Sequence, residues 1–142
     1  MAPSRTRMAI AVVSLVGIFV ALYLSMYKWG VTGALQCTIG GCEVVQNSPW
    51  SELLGRPVAE WGLAAYVFLL VVSLIGLQPR YAGARWVALS IFVTAAIGVV
   101  FSGYLTYLEA FVIQAWCQWC VISAILITII FLLSIPGLRR AR

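Results

Sequence analysis

The chain has 142 residues, 63% of them hydrophobic, with nine basic and four acidic side chains, which is too apolar for an ordinary soluble domain. It contains no histidine, which excludes Ser-His-Asp and Cys-His catalysis and any metal site that needs imidazole. A net charge of +5 would suit nucleic acid, but the placement of the charges in a membrane protein explains it without such a partner.

The first uncharged run, Met8 to Tyr27, matches the roughly 20 helical residues that a hydrocarbon core requires. Arg5 and Arg7 precede it as in a cleavable signal. Secretory apolar cores, however, are about 7–15 residues long and end in a small-residue cleavage pattern. This run is longer and leads into Ser25-Met26-Tyr27-Lys28-Trp29, so it is expected to stay as a membrane helix. The loop Lys28 to Glu60 follows, broken by Gly30, Gly33, Gly40, Gly41, Pro49, Gly55 and Pro57. Cys37 and Cys42 lie in it around Thr38-Ile39-Gly40-Gly41. The two glycines give the backbone freedom for a thiol to swing between partners; the loop alone fits a fixed local disulfide equally well. Ser48 to Gly55 is punctuated like a short helix, with Ser48 as cap, Pro49 in the first turn, Glu52 near the start and Gly55 closing it. Trp50, Leu53 and Leu54 would give that helix one apolar face, making it a lid near the membrane surface.

Trp61 to Gln78 and Trp86 to Leu108 are the second and third spanning runs. The third carries Ser90, Thr94, Gly98, Ser102 and Thr106, a small residue at every fourth position. Such a stripe admits close approach of another helix, with a polar ligand wall expected only near Ser102, Tyr104 and Thr106. A short loop, Glu109 to Gln114, leads to the fourth run, Ala115 to Ile135. Within it, Val121 to Ile135 holds eleven Leu, Ile, Val and Phe among fifteen residues. At about 0.3–0.6 kcal/mol each, these favour insertion by ~3–7 kcal/mol. Pro136-Gly137 is expected to end the helix before the basic tail. The expected architecture is all-α: one membrane domain of four transmembrane helices at about 8–27, 61–78, 86–108 and 115–136, with an outer loop at 28–60.

Arg5, Arg7, Arg80, Arg85, Arg139, Arg140 and Arg142, seven of the nine basic residues, fall in the N-terminal tail, the loop after the second helix or the C-terminal tail. The positive-inside rule makes that side, and both termini, cytoplasmic. All four cysteines then come out on or beside the opposite face, which for a bacterial inner membrane is the periplasmic or exterior side, where disulfides persist.

Trp116-Cys117-Gln118-Trp119-Cys120 opens the fourth helix. Cysteines three positions apart on a helix have Cβ atoms roughly 5–6 Å apart, so they can bridge under strain, as catalytic disulfides do. The unpaired N–H groups of a helix start also favour an anion such as a thiolate. Two small residues that merely pack are the plain alternative. Haem attachment fails because Val121 follows the pair. The carboxylates Glu43, Glu52, Glu60 and Glu109 are scattered and suggest no metal cage. A four-cysteine zinc site would need Cys120 one turn inside a helix that is entering lipid. Thiol–disulfide exchange remains: a wet loop pair, a second pair beside lipid, and a lipid-soluble quinone as final electron acceptor.

These residues resemble the vitamin K epoxide reductase family in its bacterial disulfide-forming branch. The likeness rests on Cys37-x4-Cys42, Cys42-Glu43-Val44-Val45-Gln46-Asn47-Ser48-Pro49-Trp50, Gly55-Arg56-Pro57-Val58-Ala59-Glu60-Trp61-Gly62 and Cys117-Gln118-Trp119-Cys120, across nearly the whole chain. It implies a four-helix bundle around a menaquinone or ubiquinone site and a separate thioredoxin-fold disulfide carrier as partner. It further implies that Cys37 exchanges with the carrier, Cys42 relays to Cys117, and Cys120 faces the quinone. Ser48, Trp50, Glu60, Tyr66, Trp119 and Ala124 are the residues expected around the quinone. Family members that reduce the epoxide have an asparagine near the outer end of helix two and a tyrosine one turn after the CxxC. Here the only asparagine is Asn47 and the second position holds Ala124, which favours quinone over epoxide reduction. Two other readings stay open: a reductase carrying electrons outward, for which no thiol pair exists near the cytoplasmic face, and a membrane scaffold stapled by two disulfides.

Overall fold

The computed structural model describes residues 3–31, 33, 41–49, 52–81 and 83–140, excluding the side chains of 3, 4, 42, 46 and 140. Cys37 and Trp50 therefore lie outside the described residues, as does the side chain of Cys42.

In a solvent without hydrogen-bonding partners a backbone must pair with itself, and a helix does so within one segment. Four long helices form: α1 (Pro3–Lys28), α3 (Val58–Ile75), α4 (Arg85–Tyr107) and α5 (Gln118–Arg140). Between α1 and α3 lie a one-turn helix α2 (Cys42–Gln46) and two short strands, β1 (Glu52–Leu53) and β2 (Arg56–Pro57). All four long helices are apolar and long enough to cross a membrane. Large apolar side chains point outward, among them Phe19, Val100 and Phe111, each more than 60% exposed, as suits a bundle with lipid around it.

The helices alternate in direction, and α1 packs on α3 and α5 while α4 closes the square against both. Buried Arg7 donates from Nη1 to the carbonyls of Gly76 (2.8 Å) and Tyr81 (3.4 Å). The start of α1 and the α3–α4 connection therefore share one end with the arginine-rich segments. A core of Ile10, Leu69, Val87, Ile91, Ala95 and Ile130 fills much of the interior. A second cluster, Leu24, Val45, Ala59 and Cys117, packs at the other end.

Helix ends depart from the expected bounds. The first helix starts at Pro3, the second runs Val58–Ile75, and the fourth begins at Gln118; charges mark where hydrocarbon ends, not where hydrogen bonding ends. The helix passes through Pro136 to Arg140, because one missing N–H late in a membrane helix does not stop it. The expected loop Glu109 to Gln114 is a π-helical turn, Leu108–Ile113, that prolongs α4; the chain reverses only at Gln114, with φ 57° and ψ 38°. The short helix expected over 48–55 is replaced in its described part by a hairpin, Glu52 opposite Pro57 and Leu53 opposite Arg56. Leu54 (φ 56°) and Gly55 (φ 80°) are both left-handed, the mirror-image turn that matches strand twist.

Tyr66 on α3 ties three helices together. Its hydroxyl donates to the Ser123 carbonyl on α5 at 2.8 Å and lies 2.9 Å from Ser123 Oγ. Its ring can lie against α1 because Gly17 has no side chain: a Cβ there would sit inside the ring, 2.7 Å from Cζ. Gly17→Ala should therefore destabilise the bundle by about 1–3 kcal/mol, read as a lower Tm in detergent. Gly137→Ala, where an added Cβ meets nothing, should be neutral or slightly stabilising.

Candidate active site at the thiol end

The chain leaves the π turn at Gln114 and stays non-helical to Cys117. The Cys117 carbonyl accepts the Val121 N–H at 3.1 Å, so Cys117 caps α5 and Cys120 sits in its first turn. Cys117 is fully buried and Cys120 partly so, and the two thiols lie against each other. Trp119 turns to the other side and meets Tyr23 edge-on, with ring centroids 5.2 Å apart.

The loop pair approaches through its backbone. Gly41 is buried, and a Cβ on it would overlap the Trp116 carbonyl and lie 2.7 Å from the Trp116 nitrogen. Cys42, the next residue, begins α2, and Cys117 is the next residue after Trp116. The segments carrying these two cysteines thus touch. Tyr27 steadies the loop: its hydroxyl donates to Glu43 Oε1 (3.4 Å) and accepts from Asn47 Nδ2 (2.9 Å).

Glu109 was not singled out from the sequence as a site residue. It is 2% exposed, and its carboxyl lies against the Cys120 thiol and the Cys117 backbone N–H. Glu109 and its neighbour Leu108 are both buried at the start of the π turn; π turns recur at functional sites. By sequence Glu109 is the first residue after the third uncharged run. The rule that an ionisable residue inside a membrane segment is a functional candidate therefore reaches it only once the helix is seen to continue to Ile113.

Next to Cys120 and Glu109 a cavity of about 400 Å³ runs between α3 and α4, within the range of small-molecule sites. Its walls are mainly apolar, including Leu24, Phe101, Leu105 and Ile127, with Ser48, Tyr66, Ser102 and Thr106 among the polar residues. A flat apolar ring bearing two acceptor oxygens fits such a lining, so the expected quinone and these residues are compatible. Leu53 of the hairpin closes part of the cavity, and Trp61 Nε1 holds it by donating to the Leu53 carbonyl at 3.0 Å.

Of the residues expected around the quinone, Ser48 and Tyr66 line this cavity. Glu60 does not; it pairs with Arg56 at 3.6 Å, and its Oε2 is buried without a hydrogen bond among the described residues. Trp119 is taken up by Tyr23, and Ala124 lies beside the lining residues Cys120, Ser123 and Ile127 without joining them. The small-residue stripe of the third helix is cavity wall from Thr94 onward, through Gly98, Ser102 and Thr106, while Tyr104 stays outside. Thr106 Oγ1 donates to its own helix at the Ser102 carbonyl, 2.8 Å away. Among the described residues no cluster of Cys, Asp and Glu is suited to a metal.

A thiol pair capping a membrane helix, a second cysteine segment touching it and an apolar cavity alongside form one unit. Residues 8–135 match the model of the Vitamin K epoxide reductase family, whose members are membrane oxidoreductases linking thiols to a quinone electron carrier, and the chain belongs to that family.

Proposed function

We propose that this protein is a quinone-dependent oxidase that makes disulfides de novo and hands them to an exported thioredoxin-fold carrier. The observation that carries the reading is the backbone contact of Gly41 with Trp116, which sets the Cys42 segment against the Cys117 segment at the lip of the cavity that Cys120 lines. Electrons from a carrier dithiol reduce a Cys37–Cys42 disulfide by thiol exchange. The Cys42 thiolate then attacks Cys117 of a Cys117–Cys120 disulfide, releasing Cys120 beside the cavity. A bound quinone supplies a two-electron sink; Tyr66, Ser48 and the apolar walls hold and shelter it. The arginine-rich end faces the cytoplasm and the thiols face the periplasm or exterior, following the placement of seven of nine basic residues.

Menaquinone or ubiquinone should disappear when purified protein is mixed with a reduced thioredoxin-fold carrier, followed by absorbance. Cys120→Ser should abolish that consumption and accumulate a Cys42–Cys117 mixed disulfide, visible by mass spectrometry of alkylated peptides. Retained turnover, or a Cys120→Ser protein in which Cys42 bridges only to Cys37 and Cys117 stays reduced, would overturn the assignment.

Gly41→Val should slow transfer between the pairs by roughly 10–100-fold, because small misplacements of reacting atoms are costly. Quinone reduction by protein whose Cys117 and Cys120 are already reduced should stay near wild type. Stopped-flow measurement of both steps separates the two effects.

A further inference from the structure

Glu109 is used by nothing described so far, yet it touches a reacting atom. The residue is 2% exposed and lines the same cavity as Cys120, with its carboxyl against the Cys120 thiol and the Cys117 N–H. A carboxyl placed in a membrane segment without a basic partner is costly to keep. None of the described salt bridges includes it. A packing role alone would be met by an apolar side chain at the same place.

We propose that Glu109 is a catalytic acid–base residue, carrying protons from the Cys117/Cys120 thiols into the cavity where the electron acceptor is reduced. The inference rests on the thiol-to-quinone direction proposed above. Oxidation of the pair breaks two S–H bonds, forms one S–S bond and releases two electrons and two protons. Both electrons go to a quinone, and both protons end on its two carbonyl oxygens, which become hydroxyls. Glu109 takes the Cys120 proton and releases it into the cavity. The Cys117 proton passes to the adjacent Cys120 sulfur and follows the same route. The carboxylate acts twice and ends each turnover as it began. The π turn and the left-handed reversal at Gln114 connect Glu109 to the start of α5.

The test separates two half-reactions in purified protein. In the first, pre-reduced protein meets a soluble short-chain quinone and quinone loss is followed. In the second, with no quinone present, dithiothreitol reduces the Cys117–Cys120 bridge and alkylation reports the thiols. Glu109→Gln should slow the quinone step by about 10²–10⁴-fold, the range for losing a positioned acid–base group. It should slow bridge reduction far less than the quinone step, since that exchange is set chiefly by the thiols and dithiothreitol brings its own protons. Glu109→Asp, which keeps the acid on a shorter arm, should recover part of the loss. If the glutamine variant does not fold, Glu109→Leu, of similar size and without an acid, carries the test, and quinone reduction as fast as wild type would then overturn the proposal. Equal slowing of both half-reactions in Glu109→Gln would mean a structural role and overturn it. A wild type that leaves quinone unreduced would overturn the function and this inference with it. Turnover by wild type and Glu109→Gln at the same rate would overturn the proton role alone.

Discussion

Two stretches of backbone meet at Gly41 and Trp116 with no side chain between them, and the thiol end of the molecule depends on that contact. One residue beyond each contact point stands a cysteine, Cys42 on one strand of chain and Cys117 on the other, and neighbouring Cα atoms are about 3.8 Å apart. The contact therefore limits how far the two cysteine segments can separate. It also fixes two helix starts: the Gly41 carbonyl accepts the Val45 N–H at 3.1 Å, and the Cys117 carbonyl accepts the Val121 N–H at 3.1 Å. Any larger residue at position 41 must push α2 away from the mouth of α5.

The same economy of space governs the π turn. Leu108 and Glu109, at the start of the π turn Leu108–Ile113, are both buried. The turn then closes on itself, with the Glu109 carbonyl accepting the Ala115 N–H at 3.1 Å, and Gln114 reverses the chain in a left-handed conformation. That reversal delivers Cys117 to the interior instead of to the membrane surface. Backbone irregularity at membrane depth is tolerated where protein buries it, and here it buries the thiol pair against the Glu109 carboxyl.

Long uncharged runs made the four helices legible, and the arginines correctly grouped the start of α1 with the α3–α4 connection, since Arg7 reaches Gly76 and Tyr81. The CxxC reads plainly as the opening of the last helix. Hydropathy could not supply the bounds: Pro136 looked like a stop but lies inside α5. Ser48, Pro49, Glu52 and Gly55 punctuate a short helix and a hairpin equally well, and only the left-handed φ of Leu54, an unusual choice for a leucine, separates them. Gly41 read as a source of freedom, yet its role is close approach, which depends on what lies across from it. Glu109 looked like one of four scattered carboxylates because its meaning is tertiary. Eight positions separate it from Cys117 in sequence, and only the π turn brings them together.

The hairpin shows how one site can serve water and lipid at once. Its tip residue Leu54 is 83% exposed and held in a conformation that costs an L-residue ~1–2 kcal/mol, a poor arrangement against water alone. Beside it Trp61, also exposed, hydrogen-bonds Leu53, the placement of a tryptophan at a membrane interface. Apolar tip and amphipathic ring together put the hairpin at the level where headgroups give way to acyl chains, with Leu53 turned inward over the cavity. On one side of that level the Tyr27–Glu43–Asn47 cluster is exposed and polar. On the other, the cavity is walled by Ile97, which is also 66% exposed on the bundle's outer surface. The thiol end is thereby polar on the side of the Cys42 segment and apolar on the side of the cavity that Cys120 lines.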